Sequence, residues 1–352
     1  MDRENRIIKP SQEGSAADIA RILGVSRAAV SYALNGKPGV SARTRQMILS
    51  LAEKKGMEIP QKALNWKTTK PLVGLILADL SNPFYQELGV AVSNHARWHG
   101  YDAYLSHTGD DPLELLTTVR AMASHRVDGI ILTATQDGDA AVVQELRKWN
   151  IPYVQVSRKI PTVNGAFVGI DNKAASKDIA LHMASHGFEK IALVVGPRRS
   201  SASNDRYAGY LDGLVESGIF VPQQWIVRTS LGVDGGMKAA QYLRSLDRGL
   251  PEAIICGSDA IALGIMQDFT AQGINIPADI AICGFDGVIS HRSPDFSLTT
   301  VVQPVDDMAE NAVIYLDDLI RNKSITPHEV ICQYSLRIGN SCRCQLGKEH
   351  VS

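Results

Sequence analysis

Residues 24–36 read GVSRAAVSYALNG, and the organisation of the chain follows from them. Ser26 is placed to cap a short helix that runs to Leu34, its hydroxyl accepting an orphan amide of the first turn. Val30, Ala33 and Leu34 recur at helical spacing on one apolar face, and Asn35-Gly36 supply a stop with positive φ. Arg27, Ala28, Ser31 and Tyr32 fall on the opposite face as two i,i+4 pairs. That face offers a charged donor, a phenol and small residues that let the backbone come close to something. Upstream, Ser15 and Asp18 spell a capping box for a helix with Ile19, Ala20, Ile22 and Leu23 inward. Gly24 ends it two residues before Ser26. Helix, glycine turn, helix at this spacing is the helix-turn-helix pattern, whose second helix enters the DNA major groove. A third helix follows, capped by Ser41, with Met47, Ile48, Leu51 and Ala52 inward and Lys54-Lys55 at its negative end.

Spacing alone is shared by many small all-α domains, but the match here runs further. Residues 18–56, DIARILGVSRAAVSYALNGKPGVSARTRQMILSLAEKKG, resemble the DNA-binding head of the lac repressor/gal repressor family of bacterial transcriptional regulators. The family's D-[IV]-A-x-x-[AL]-G-V-S-x-x-T-V-S-x-x-L-N pattern is met at Asp18, Ile19, Ala20, Gly24, Val25, Ser26, Val30, Ser31, Leu34 and Asn35. Ala29 departs from the usual Thr, and Tyr32 stands where Arg is common. The resemblance implies that Ser26, Arg27, Ala28, Ser31, Tyr32 and Asn35 face DNA.

Charge agrees with contact to phosphates at one end only. The whole chain of 352 residues carries a net charge of −1, yet residues 1–70 hold 13 Lys/Arg against 6 Asp/Glu, a net of +7. A basic head on an acidic body is the footprint of a nucleic-acid binder. No apolar run approaches the roughly 18–20 residues that span a bilayer. The N-terminus lacks the apolar stretch of a signal peptide, and residues 1–14 read as disordered. Cys256, Cys283, Cys332, Cys342 and Cys344 form an odd set, mostly in apolar runs, and read as free thiols. Cys342 and Cys344 have only His350 nearby, too few ligands for zinc. These features point to a cytoplasmic protein without metal, cofactor or membrane.

By resemblance, residues 12–58 form the helix-turn-helix head and 59–70 a hinge that inserts a leucine into the minor groove. Trp66 occupies that leucine's place, Leu64 replaces an Arg, and Pro60 falls one position late. An apolar wedge kinks DNA by unstacking a base step. Trp66 either serves as this wedge or packs on the core.

From Pro71 the pattern changes. LVGLILA, GIILTA, IPYVQVS, KIALVVG, EAIICG and DIAICGFD read as buried strands, and 83–98, 138–149, 172–186, 204–217 and 258–272 as amphipathic helices. Such alternation predicts parallel sheets flanked by helices, and its length suits two doubly wound units. The resemblance implies an α/β, periplasmic-binding-protein-like core over 71–341. Its first lobe would span about 71–171 and 304–328, its second about 172–303 and 329–341. The crossings would fall near Asp171, Gln303 and His328.

Ligands of open α/β sheets collect beyond the carboxyl ends of the strands. Asn82, Phe84 and Tyr85, in the family-like SNPFY, follow the first such strand. Arg158 follows another, with Ser157 in place of the usual Asp. Arg206 fits the family's R-x-x-G-[FY]. Ser258 stands where Asn is common, Asp286 ends ICGFD, and Gln303 ends FSLTTVVQP. By resemblance these residues bind a small polar effector. Aromatic faces with Arg, Asp and Gln suit a sugar, and a nucleoside or polyol stays open. No catalytic motif is present. The function expected is that of a repressor, dimeric or a dimer of dimers, on a near-palindromic operator. A regulator without effector and a solute-binding protein are the alternatives.

Overall fold

The computed structural model describes residues 15–37, 39–40, 42–60, 63, 71–133, 139–160, 163, 165–247, 249–288, 296–321 and 326–344. The expectations for residues 1–14, Ser41, Leu64 and Trp66 lie outside these. The chain separates into two compact units, 1–70 and 71–352.

In the first unit, α1 (Ala16–Leu23), α2 (Arg27–Leu34) and α3 (Ala42–Lys54) enclose a core of Ile19, Ala20, Val30, Ala33, Ile48 and Ala52. The Ser15–Asp18 capping box forms, and Gly24 closes α1 in the left-handed conformation. Two apolar residues expected inside are outside: Ile22 is 53% exposed and Met47 47%. Ala16, Ile19, Ala20 and Leu23 fill the α1 stripe, and Ile22 projects about 110° from its centre at 3.6 residues per turn. On α3, Arg45 is buried instead. It donates to the carbonyls of Tyr32 and Ala33 at 3.0 Å each and to that of Lys37. A cation thus satisfies the orphan carbonyls ending α2 and complements its dipole.

Among the described residues the second unit contains two six-stranded sheets. The first uses β1 (Leu72–Leu77), β2 (Asp102–His107), β3 (Gly129–Leu132), β4 (Tyr153–Val156), β5 (Phe167–Gly169) and β11 (Glu329–Ile331), in the order β11-β5-β4-β3-β1-β2. The second uses β6 (Ile191–Val195), β7 (Ile226–Arg228), β8 (Ala253–Cys256), β9 (Ala281–Asp286), β10 (Thr299–Val302) and β12 (Ser335–Arg337), ordered β12-β10-β9-β8-β6-β7. All pairs are parallel except β10–β12. The two orders repeat one plan, so β4 and β9 occupy equivalent places.

Helices α4 (Pro83–Trp98), α5 (Pro112–Ser124), α6 (Asp139–Lys148) and α11 (Val305–Arg321) cover the first sheet. Helices α7 (Asn172–Ala184), α8 (Ser201–Glu216), α9 (Val233–Arg244) and α10 (Asp259–Ala271) cover the second. Alternate strand residues serve opposite faces. Ile191, Leu193 and Val195 pack with α7 and α8, whereas Ala192 and Val194 pack with α9 and α10. The α7–α8 contact is close because Gly209 has no side chain: a Cβ there would lie 2.1 Å from the Lys173 carbonyl.

The chain passes between lobes after β5, after β10 and after β11. The last passage falls at residues 332–334, later than the His328 expected from sequence. β11 adds in parallel to the free edge of β5 before the chain leaves, so residues 329–331 belong to the first lobe. No helix among the described residues is long and apolar enough to cross a membrane.

Candidate nucleic-acid interface and ligand cleft

In the first unit, α2 presents the face anticipated for it. Ser26, Arg27, Ala28, Ser31, Tyr32 and Asn35 are all exposed, while Val30 and Ala33 are buried. Ser26 Oγ accepts from the Ala29 amide at 3.1 Å. Asn35 donates through Nδ2 to the Ser31 carbonyl at 2.9 Å. These two residues are occupied as caps, which leaves Arg27, Ala28, Ser31 and Tyr32 as the outward surface. The stop differs in detail from expectation: Asn35 has φ −102, and Gly36 alone takes the positive value, 62.

In the second unit, the loops after β1, β4 and β9 converge between the lobes. Asn82, Phe84, Tyr85, Arg158, Arg206 and Asp286 line one cavity together with Ser157, Ala202, Ser203 and Leu231. Asn82 accepts from the Phe84 amide as the cap of α4 and reaches across to donate to the Leu231 carbonyl at 3.2 Å. Phe84 and Tyr85 meet edge to face, 5.1 Å between centroids. The cavity measures about 10 Å³, room for about one water.

Each arginine in it is held by an aspartate. Arg158 pairs with Asp110 at 2.5 Å and lies over the Tyr85 ring at 5.6 Å. Arg206 donates to Asn172 Oδ1 at 2.8 Å, to the Gly257 carbonyl at 2.7 Å and to Asp286 at 3.2 Å, and stacks on Phe285 at 3.6 Å. Burial opposes the Arg158 charge, yet Tyr85 and Asp110 hold its pKa above the usual range. Burial pushes the Asp286 carboxyl up to about 6, with Arg206 and Gln303 pulling the other way. Ser157 and Asp286, at the equivalent ends of β4 and β9, both take positive φ, 65 and 115. Non-glycine residues in this region store local strain, which clusters at ligand sites. Arg158 Nε and Ser203 Oγ are buried here without a hydrogen bond among the described residues.

Two expected ligand contacts sit behind the cavity wall. Gln303 donates to Asp286 Oδ1 at 2.8 Å, so it orients the carboxylate. Ser258 caps α10 and donates to the Leu231 carbonyl at 3.1 Å. A serine is too short to cap the helix and reach past that carbonyl. Nothing in the local pattern of Asp110, Asn172 and Ser203 separates them from helix caps and loop polars, so the sequence does not single them out. A second hollow of about 250 Å³ shares Ser157 and is lined by both lobes, including Asp171, Asn172, Ser201, Asp205 and Glu329.

Residues 70–312 match the family described as periplasmic binding proteins and the sugar binding domain of the LacI family. Residues 16–56 match bacterial regulatory proteins of the lacI family. Catabolite control protein A of Priestia megaterium is 31% identical over 88% of this chain and 93% of its own length. The transcriptional repressor CytR of Escherichia coli (strain K12) is 28% identical over 96% of this chain and 99% of its own. Among solved structures, the lac repressor dimer bound to operator and the anti-inducer ONPF gives a TM-score of 0.73 at 21% identity, covering 94% of this chain and 99% of that one.

Proposed function

The chain belongs to the lacI family of bacterial regulatory proteins, and from that premise we propose that it is a cytoplasmic repressor switched by a small sugar-like effector. It is a DNA-binding transcriptional regulator with a periplasmic-binding-like core, and its relatives are regulators rather than enzymes. The operator is near-palindromic and is held by a homodimer or a dimer of dimers. The effector lies between the lobes, against Phe84 and Tyr85 from one and Arg206 and Asp286 from the other, with Asn82 and Arg158 beside it. Gln303 and Ser258 act through Asp286 and the Leu231 carbonyl. The observation that carries this reading is the convergence of buried, ion-paired Arg and Asp side chains on the carboxyl ends of both sheets. A polyol can exchange its hydroxyls for those ion pairs, and contact with both lobes makes it favour one arrangement of the two.

On the DNA side, Arg27 is the base reader, bidentate to guanine. Arg27→Ala is expected to cost about 1–3 kcal/mol at one base position and to relax preference there. Binding-site selection with the variant measures this, and an unchanged profile at every position removes Arg27 from the readout.

On the ligand side, hydroxyls donate to the ionised form of Asp286, whose pKa burial raises to about 6. Affinity is therefore level above neutrality and falls as pH drops through that value. From pH 7 to pH 5 the ionised share goes from about nine-tenths to about one-tenth, a loss of about tenfold. Calorimetric titrations across this range test it; a flat affinity in folded protein removes Asp286 from the contact.

The cavity of about 10 Å³ favours a second reading, a regulator that binds DNA with its own ion pairs in place of a ligand. Calorimetry against sugars, nucleosides and polyols separates the two, since the second reading allows no heat from any of them.

A further inference from the structure

The second lobe brings together four side chains that sequence spacing keeps far apart. His182 lies in the last turn of α7, and His186 follows the helix one turn on. Cys342 and Cys344 flank Arg343 in the segment after β12. His182 Nε2 is 3.4 Å from Cys342 Sγ, which is 160 residues away in the chain. His186 Nε2 is 3.4 Å from His182 Nε2 and 3.5 Å from Cys344 Sγ. All four donor atoms lie within 4.8 Å of one another.

Three of these six separations already match the edges of a metal tetrahedron, and the others lie within 4.8 Å. With Zn–N of about 2.0–2.1 Å and Zn–S of about 2.3 Å, tetrahedral geometry requires about 3.4 Å between two nitrogens and about 3.5–3.6 Å between nitrogen and sulfur. Both histidines offer the same ring atom, Nε2, toward the common centre. We propose that His182, His186, Cys342 and Cys344 form a closed Cys₂His₂ site for Zn²⁺. Along the sequence only His350 stands near Cys342 and Cys344; the fold supplies the two histidines instead.

The surroundings are built to hold the cysteine loop in place. Arg343 takes φ 73, a left-handed turn that folds the two thiols to one side. Its guanidinium donates to the carbonyls of Pro277, Ala278 and Asp279 at 2.9, 3.1 and 3.3 Å. Ser341 Oγ donates to the Ile282 carbonyl at 2.7 Å and accepts the Thr299 amide at 2.9 Å. Thr299 Oγ1 stands 2.9 Å from Cys342 Sγ, the position of an outer donor to a metal-bound thiolate. Four protein ligands leave no open coordination position, so the site is structural. It pins the segment after β12 to α7, the helix whose first residue, Asn172, accepts from Arg206 in the cleft.

The test uses full-length protein purified under reducing conditions without chelator. Metal analysis is expected to find about one zinc per chain. Replacement by Co²⁺ is expected to give the visible bands of a tetrahedral thiolate site. Cys344→Ser and His186→Ala should lose both signals, and Cys332→Ser, outside the cluster, should keep them. Thr299→Val should keep the bands and bind about 10–100-fold more weakly. Added Zn²⁺ should raise the melting temperature of the stripped parent but not of folded Cys344→Ser. The proposal is overturned if the folded parent retains no zinc and gives no cobalt spectrum. It is equally overturned if Cys344→Ser and His186→Ala bind as the parent does, or if mass spectrometry finds Cys342 and Cys344 joined as a disulfide in the reduced protein.

Discussion

Replacing Asp286 by alanine is expected to lower the stability of the core by about 3–5 kcal/mol, besides removing any effector response. Arg206 and Asp286 are both buried, with side chains only 6% and 2% exposed. Without the carboxylate, Arg206 keeps Asn172 and the Gly257 carbonyl, both neutral, so its charge has no directly bonded counter-ion. Gln303 also loses its acceptor. Removing both charges is less harmful than removing one, because the desolvation cost of the pair then disappears. The double variant Arg206→Met, Asp286→Leu should therefore recover much of the stability, with no recovery of effector binding. Urea unfolding of the parent, the single and the double variant measures the difference. A single variant within about 1 kcal/mol of the parent would show that the ion pair is not the buried, matched contact described here.

The second large effect concerns the head on its own. The outward face of α2 carries four exposed side chains, Arg27, Ala28, Ser31 and Tyr32. A single such head covers one half-site, and two joined heads turn the second contact into an intramolecular one. Fragment 1–70 is expected to bind operator about 10²–10⁴-fold more weakly than the full chain at equal salt. Equal affinity for fragment and full chain would remove the core from operator binding. Salt must be matched, since phosphate contacts make affinity fall steeply with it.

The head was legible wherever a local rule decides the structure. The Ser15–Asp18 box, the Gly24 turn and the exposed face of α2 depend on residues within one or two turns. Ile22 and Met47 were misplaced because apolar type says little about which side of a thin three-helix core a residue faces. Arg45 was invisible for the opposite reason: on a helix it reads as a solvated charge, and only the arrival of the α2 carbonyls buries it. In the core, the strands read from sequence are those buried on both faces. β2 lies at the sheet edge with no buried residue and no regular alternation, and β5, β7, β11 and β12 are three residues each, so they carry no readable period. Six of the expected effector residues share the cavity because strand ends converge by topology. Gln303 and Ser258 also lie at strand ends, but the Asp286 carboxylate and the Leu231 carbonyl in front of them take up their donors. The cluster of His182 and Cys342 shows the limit most plainly, since no spacing rule joins partners 160 residues apart.

The central claim, that a polar molecule bound across the cleft sets operator affinity, is tested most directly by one titration. Operator binding is measured by gel shift, with and without whichever sugar, nucleoside or polyol calorimetry finds to bind, for the parent and Asp286→Asn. Asparagine preserves the shape of the side chain and removes its charge. The expected result is a shift in operator affinity for the parent, corresponding to about 1–3 kcal/mol of coupling. In Asp286→Asn, at the same ligand concentration, that shift should be lost. An equal shift in both proteins would contradict the account and move the switch elsewhere in the core.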